Sequence, residues 1–260
     1  MNTSHLPILN ISCYQFVTLA DPQRLRCQLQ GNAAANHLKG TLLLAEEGLN
    51  LFLAGPVAGV HAFVAYLRAL AEFADLTPKE SWSETTPFQR LKVKVKREII
   101  RMNHPGIRPQ AGRAPSVAPQ VLARWLAQGH DDAGRPVVTL DTRNAFEIDH
   151  GTFTGAIDWR INKFSEFPDA VQAHRDQLDG KTVVSFCTGG IRCEKAAIYL
   201  QDIGLDHVYQ LDGGILKYFE ETDGAPGWQG GCFVFDAREA LGAQLTPVRA
   251  SADAAAPPAR

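Results

Sequence analysis

The chain has 260 residues, a formal net charge of −2 and 45% hydrophobic residues. That length and apolar content are enough for two ordinary cores, so two domains are expected. The slightly acidic balance excludes a uniformly basic nucleic-acid coat, and any polyanion would have to be met by a local cluster of cations. No apolar run approaches the roughly 20 residues of a membrane helix, and "MNTSHLPILN" lacks the basic start and apolar centre of a signal peptide. A cytoplasmic location without a membrane partner is the expectation. Cys13, Cys27, Cys187, Cys193 and Cys232 are scattered and form no CxxC pair. They read as free thiols, neither a disulfide framework nor a structural zinc site.

Residues 11–19, 39–48, 49–55 and 91–100 are rich in apolar and β-branched side chains and read as strands. Between them lie two helical stretches. One covers 21–38, with Asp21 as N-cap and Pro22 at the first helical position; the other covers 57–70, where apolar residues recur at three- and four-residue steps. The order βαββαβ predicts a ferredoxin-like α+β sandwich over residues 1–101. Residues 102–115, rich in proline and glycine, read as a linker. Over 116–224 helical stretches at 116–129 and 194–204 alternate with strands at 135–143, 181–187 and 207–214. That alternation predicts a parallel-sheet α/β domain whose sites lie at the carboxyl ends of the strands. Residues 225–260 form a C-terminal extension ending in a low-complexity tail expected to be disordered.

Within "SFCTGGIRCEKAAIYL", residues 185–200, Cys187 stands at such a strand end. Thr188, Gly189, Gly190, Ile191 and Arg192 must then turn the chain into a helix that starts near Cys193. The two glycines permit the turn. Inward backbone amides and a helix N-terminus favour an anion there, and thiols in such settings fall to pKa values of roughly 3.5–7.5. Cys187 is therefore the candidate nucleophile, although a thiol after an apolar strand can also be an inert core residue. Cys193 is either a packing residue or a partner that resolves an oxidised or persulfidated Cys187. Asp141, Arg143 and Glu147 read as structural ion pairs, and His150 as an exposed loop residue in preference to a proton carrier. No flavin fingerprint or metal-ligand triad is visible, so no cofactor is identifiable and no metal site is expected.

"RLKVKVKREIIR", residues 90–101, alternates apolar residues with Lys92, Lys94 and Lys96. Lysines on an edge strand commonly block aggregation. Arg90, Arg97 and Arg101 continue the positive run, with His104 and Arg108 beyond, and suggest instead a stripe that holds phosphates between the two domains.

The blocks "VVTLDTRNAFEIDHGTFTGAI", "VVSFCTGGIRCEKAA" and "VYQLDGGILKYFEE" resemble the three signature blocks of a rhodanese domain. The resemblance implies that Cys187 is the persulfide-forming cysteine of that domain and that the loop Cys187–Arg192 has the six-residue length associated with sulfur chemistry. Related phosphatases close a seven-residue loop with arginine; here the seventh position is Cys193, which disfavours a phosphatase.

Together with "KGTLLLAEEGLNLFLAG", "FQRLKVKVKREIIRM" and "GWQGGCFVFDAR", these blocks resemble the bacterial tRNA uridine hydroxylases. That resemblance implies tRNA as partner, not DNA, and molecular oxygen as co-substrate for making 5-hydroxyuridine at the wobble position. Many members carry a longer extension with further cysteines, of which this chain has none after Cys232. Two other readings stay open on the residues alone. One is a sulfurtransferase carrying a persulfide on Cys187; the other is a non-enzymatic RNA-binding module, against which the intact Cys187, Gly189 and Gly190 argue.

Overall fold

A computed structural model describes residues 8–248, so the tail expected to be disordered lies outside the described residues. The N-terminal sheet contains β1 (Ile8–Phe16), β2 (Lys39–Ala45), β3 (Gly48–Pro56), β4 (Lys79–Ser83) and β5 (Leu91–Val95) in the order β4-β1-β3-β2-β5. Its helices are α1 (Pro22–Ala35) and α2 (Val57–Arg68). β1, β2, β3 and β4 pair antiparallel, which is the expected ferredoxin-like arrangement. One strand assignment is corrected. The strand that closes the βαββαβ unit is β4, beside β1, whereas β5 is an added fifth strand, parallel to β2 at the opposite edge. The sequence of β4, KESWS, has no buried residue and no apolar alternation, so main-chain pairing with β1 recruits it, not burial.

Side-chain alternation sorts the two faces of this sheet. Leu9, Ile11, Leu42, Leu44, Leu51 and Leu53 pack with Leu29, Phe63 and Leu67 of the two helices. As expected, Asp21 caps α1 by accepting the amide of Arg24, and Pro22 opens the helix. The opposite face presents Ser12, Tyr14, Thr41, Leu43, Asn50 and Phe52 to a cavity shared with the second half of the chain.

That second half is a parallel sheet of β6 (Ser116–Val117), β7 (Val137–Asp141), β9 (Thr182–Phe186) and β10 (Val208–Leu211), ordered β6-β10-β9-β7. Its helices are α3 (Pro119–Gln128), α4 (Ala145–Ile148), α5 (Phe167–His174), α6 (Ile191–Asp202) and α7 (Gly214–Glu221). Every residue of β9 is buried, the polar Thr182 and Ser185 included, as expected of a central parallel strand. Two small antiparallel pairs complete the fold: β8 (Gly151–Phe153) with β11 (Trp228–Gly230), and β12 (Cys232–Phe233) with β13 (Ala240–Leu241). Residues 102–115 are packed, not free: Met102, Ile107 and Ala114 join the core built by Leu140, Val183 and Leu200. Among the described residues no helix is long and apolar enough to cross a membrane.

Candidate active site

β9 ends at Phe186 and α6 begins at Ile191, two residues earlier than the sequence suggests, so Cys187–Gly190 make the whole reversal. Gly190 adopts φ 103°, and a Cβ there would stand 2.8 Å from the Tyr14 hydroxyl. Gly189 has a negative or extended backbone and open space around it, so the turn depends on only one of the two glycines. Gly214, at φ 67°, lets the start of α7 pass against the loop, where any Cβ would strike the carbonyl oxygen of Cys187. The amides of Ile215 and Leu216 then bind the carbonyls of Cys187 and Thr188 at 3.0 and 3.1 Å.

The remaining loop residues are anchored one by one. Thr188 Oγ1 donates to the carbonyl of Phe233 at 3.4 Å, and Lys79 Nζ donates to the carbonyl of Gly189 at 3.2 Å. Ile191 packs with Ala45 and Ile99 of the N-terminal domain. Arg192 donates two hydrogen bonds to Glu147, at 2.6 and 2.7 Å. Arg143 likewise grips both oxygens of Asp141, at 2.9 and 2.6 Å, and both side chains are fully buried. Asp141, Arg143 and Glu147 thus have structural partners, and Arg192 lends the loop its charge while its terminal nitrogens are occupied.

Cys187 Sγ accepts the amide of Gly190 at 3.2 Å. Burial pushes its pKa up, but the Cys193 thiol, the Arg192 charge and the amides of Arg192 and Cys193 together outweigh burial and lower it to about 5. Cys193 is displaced the other way: burial and the neighbouring Cys187 hold it as a thiol, with Thr142 Oγ1 3.9 Å from its sulfur. The pair therefore divides into a thiolate and a proton-bearing thiol. Cys13 and Cys232 are pushed up to about 12 by burial, so neither is a nucleophile at neutral pH. All five cysteines are unpaired.

Cys187 lies in the wall of a cavity of about 540 Å³ enclosed between the N-terminal sheet and the cysteine loop, within the usual range of small-ligand sites. Arg101 lines the same cavity and is exposed. Lys92 and Lys94 stand in register with Thr41 and Leu43, which also line it, so the lysine ladder extends that sheet face to its open edge. Arg90, Lys96 and Arg97 are exposed around it.

Tyr14 and Lys79 were not singled out by the sequence. Burial, then the neighbouring Glu194, raises the pKa of Tyr14, whose hydroxyl donates to Glu194 at 3.1 Å; burial lowers that of Lys79. Both come from the N-terminal sheet, and only the three-dimensional pairing of the domains carries them to the loop. Among the described residues no group of three or more His, Cys, Asp or Glu side chains is arranged to hold a metal ion.

Residues 8–99 match the UPF0176 acylphosphatase-like domain and residues 122–221 the rhodanese-like domain. A protein of Delftia acidovorans named tRNA uridine(34) hydroxylase is 68% identical over 238 residues, which span 92% of this chain and 90% of that one. The chain belongs to the tRNA uridine(34) hydroxylase family. A Bordetella petrii member of the family is 63% identical over 248 residues, 95% of this chain and 98% of its own. A Bordetella avium member is 65% identical over 243 residues, 94% of this chain and all of its own. Both the family and the two-domain fold expected from the sequence blocks are thereby borne out.

Proposed function

We propose that this chain hydroxylates the wobble uridine of tRNA at C5, with Cys187 as the reacting group. One observation carries the reading: a thiolate-forming cysteine lines a cavity large enough for a nucleotide, whose wall runs directly into an exposed cationic sheet edge. Phosphates held by Lys92, Lys94, Lys96, Arg90, Arg97 and Arg101 would place an anticodon loop so that one splayed uridine enters the cavity. The name borne by the relatives supports the same substrate.

In this reading Cys187 Sγ adds to C6 of uracil and the ring electrons move to C5 and O4 as an enolate, which the loop amides stabilise. C5 then bonds one atom of dioxygen. Loss of the C5 proton then expels Cys187 from C6, and the freed Cys187 thiolate takes the distal oxygen of the hydroperoxide as a sulfenic acid, leaving a hydroxyl on C5. Cys193 condenses with that sulfenic acid to a disulfide and water. The sum is uridine, dioxygen and two thiols giving 5-hydroxyuridine, a disulfide and water, and an external thiol reductant restores the pair.

Nucleoside mass spectrometry of tRNA from cells lacking this protein tests the function. Loss of 5-hydroxyuridine and its derivatives is expected. Loss of thiolated uridine instead would favour persulfide transfer from the same cysteine.

A further inference from the structure

We propose that Phe146, Phe233 and Phe235 form a stacking platform for the nucleobases flanking the target uridine, an inference that rests on the tRNA reading above. Phe146 comes from α4, while Phe233 and Phe235 come from and just after β12. Their three rings stand mutually edge to face, with centroids 5.2, 6.4 and 5.2 Å apart and interplanar angles of 89°, 87° and 88°. Packing alone does not explain them. Phe146 is 46% and Phe235 47% exposed, and together they are two of the three large apolar side chains left open to solvent among the described residues.

Their position selects the occupant. Phe235 lines the cavity that holds Cys187, yet half of it faces outward, so it stands at the opening. Its ring lies 6.3 Å from that of Phe52, inside the cavity on the sheet face. On the outer side His150 lies 5.1 Å from Phe233. Aromatic rings therefore run from the cavity wall to the surface, and the exposed Arg101 and Lys163 line the same cavity. An apolar protein partner would not need this arrangement of π-faces beside exposed cations. A splayed single strand does, because stacking on aromatic side chains holds bases while cations hold the backbone.

The platform is also tied to the chemistry. The carbonyl of Phe233 accepts the Thr188 hydroxyl, so the segment that carries Phe233 and Phe235 is fixed to the residue after Cys187. A flanking base stacked on Phe235 would thus be registered against the reacting sulfur through one side-chain hydrogen bond.

The test uses the full chain and an anticodon stem-loop carrying 2-aminopurine next to the target uridine. With the native protein the 2-aminopurine fluorescence should change on binding as the base stacks. The variant F146A/F235A should weaken stem-loop binding by about tenfold to a hundredfold and abolish that change. Because both side chains are half exposed, thermal unfolding should remain close to native. Phe235→Leu keeps an apolar cover and should behave like the alanine variant, whereas Phe235→Trp should restore binding and stacking. Native affinity and an unaltered fluorescence change in F146A/F235A, alongside a native protein that hydroxylates the stem-loop, would overturn the platform alone. A native protein that neither binds nor hydroxylates the stem-loop would overturn the proposed function, and the platform with it.

Discussion

Lys195 Nζ, on the helix that follows the cysteine loop, lies 2.8 Å from Glu47, in the turn between β2 and β3 of the other domain. The same ammonium reaches Glu98 at 2.7 Å and the carbonyl of Ile100 at 2.9 Å, and the residue is almost fully buried. One position earlier, Glu194 accepts from Tyr14 and from Arg113. Two consecutive residues of α6, immediately after Cys193, thus clamp the N-terminal sheet over the cysteine loop and define the cavity between them.

Lys195→Met should test the clamp, because it leaves Glu47 and Glu98 partly buried without their cation. Removing one partner of a buried ion network costs about 3–5 kcal/mol, which urea denaturation would register as a lower midpoint. A loss below about 1 kcal/mol would mean that the Lys195 ion pairs do not hold the two domains together.

The lysine ladder makes a different prediction. Reversing Lys92, Lys94 and Lys96 to glutamate should weaken tRNA binding and flatten its salt dependence, with the logarithmic slope falling by about 0.7–0.9 for each phosphate that is no longer neutralised. The apolar side of β5, where Val93 packs against α1, is untouched, so the fold should survive. Unchanged binding across a salt series would reduce the ladder to an edge-strand device.

What could be read from the sequence was local. Cys187 stood out because its chemistry is set within six residues, and β9 because Val183, Val184 and Phe186 mark it as a buried strand. β4 escaped because KESWS carries no burial pattern, and its role depends on pairing with β1 across some seventy residues. Lys79, Tyr14 and the ion pairs of Glu194 and Lys195 were invisible for the same reason: each meets its partner only when the two domains close. The proline- and glycine-rich segment misled in the opposite sense, since its Met102, Ile107 and Ala114 are buried in the core.

The turn residues provide a paired test. Gly190→Ala would force a side chain into φ 103° and against the Tyr14 hydroxyl, so it should destabilise the protein by about 1–3 kcal/mol and disturb the amide bonded to Cys187. Gly189→Ala meets open space and should unfold close to native in thermal scans. Equal effects of the two would contradict the assigned geometry.

Cys187 should titrate as a strong acid for a thiol. Its alkylation rate by iodoacetamide should rise as pH increases through about 5 and then level off, whereas Cys193 should react slowly at neutral pH. The depressed pKa also contributes stability. That contribution is complete above the ordinary thiol value of about 8.5 and is lost as pH falls through the folded value near 5. Cys187→Ser should lack this dependence. A Cys187 alkylation profile centred near the ordinary thiol value of about 8.5 would mean that the loop does not favour its thiolate.

The most direct test of Cys187 as the group that meets uracil is covalent trapping on a tRNA carrying 5-fluorouridine at the target position. Addition to C6 can proceed, but fluorine at C5 blocks the proton loss that would release the sulfur. Denaturing gels and peptide mass spectrometry should show a protein–RNA adduct through Cys187, absent in Cys187→Ser and retained in Cys193→Ser. Absence of any adduct from protein that is active on ordinary tRNA would contradict thiolate addition and shift the chemistry to an oxidised or persulfidated Cys187.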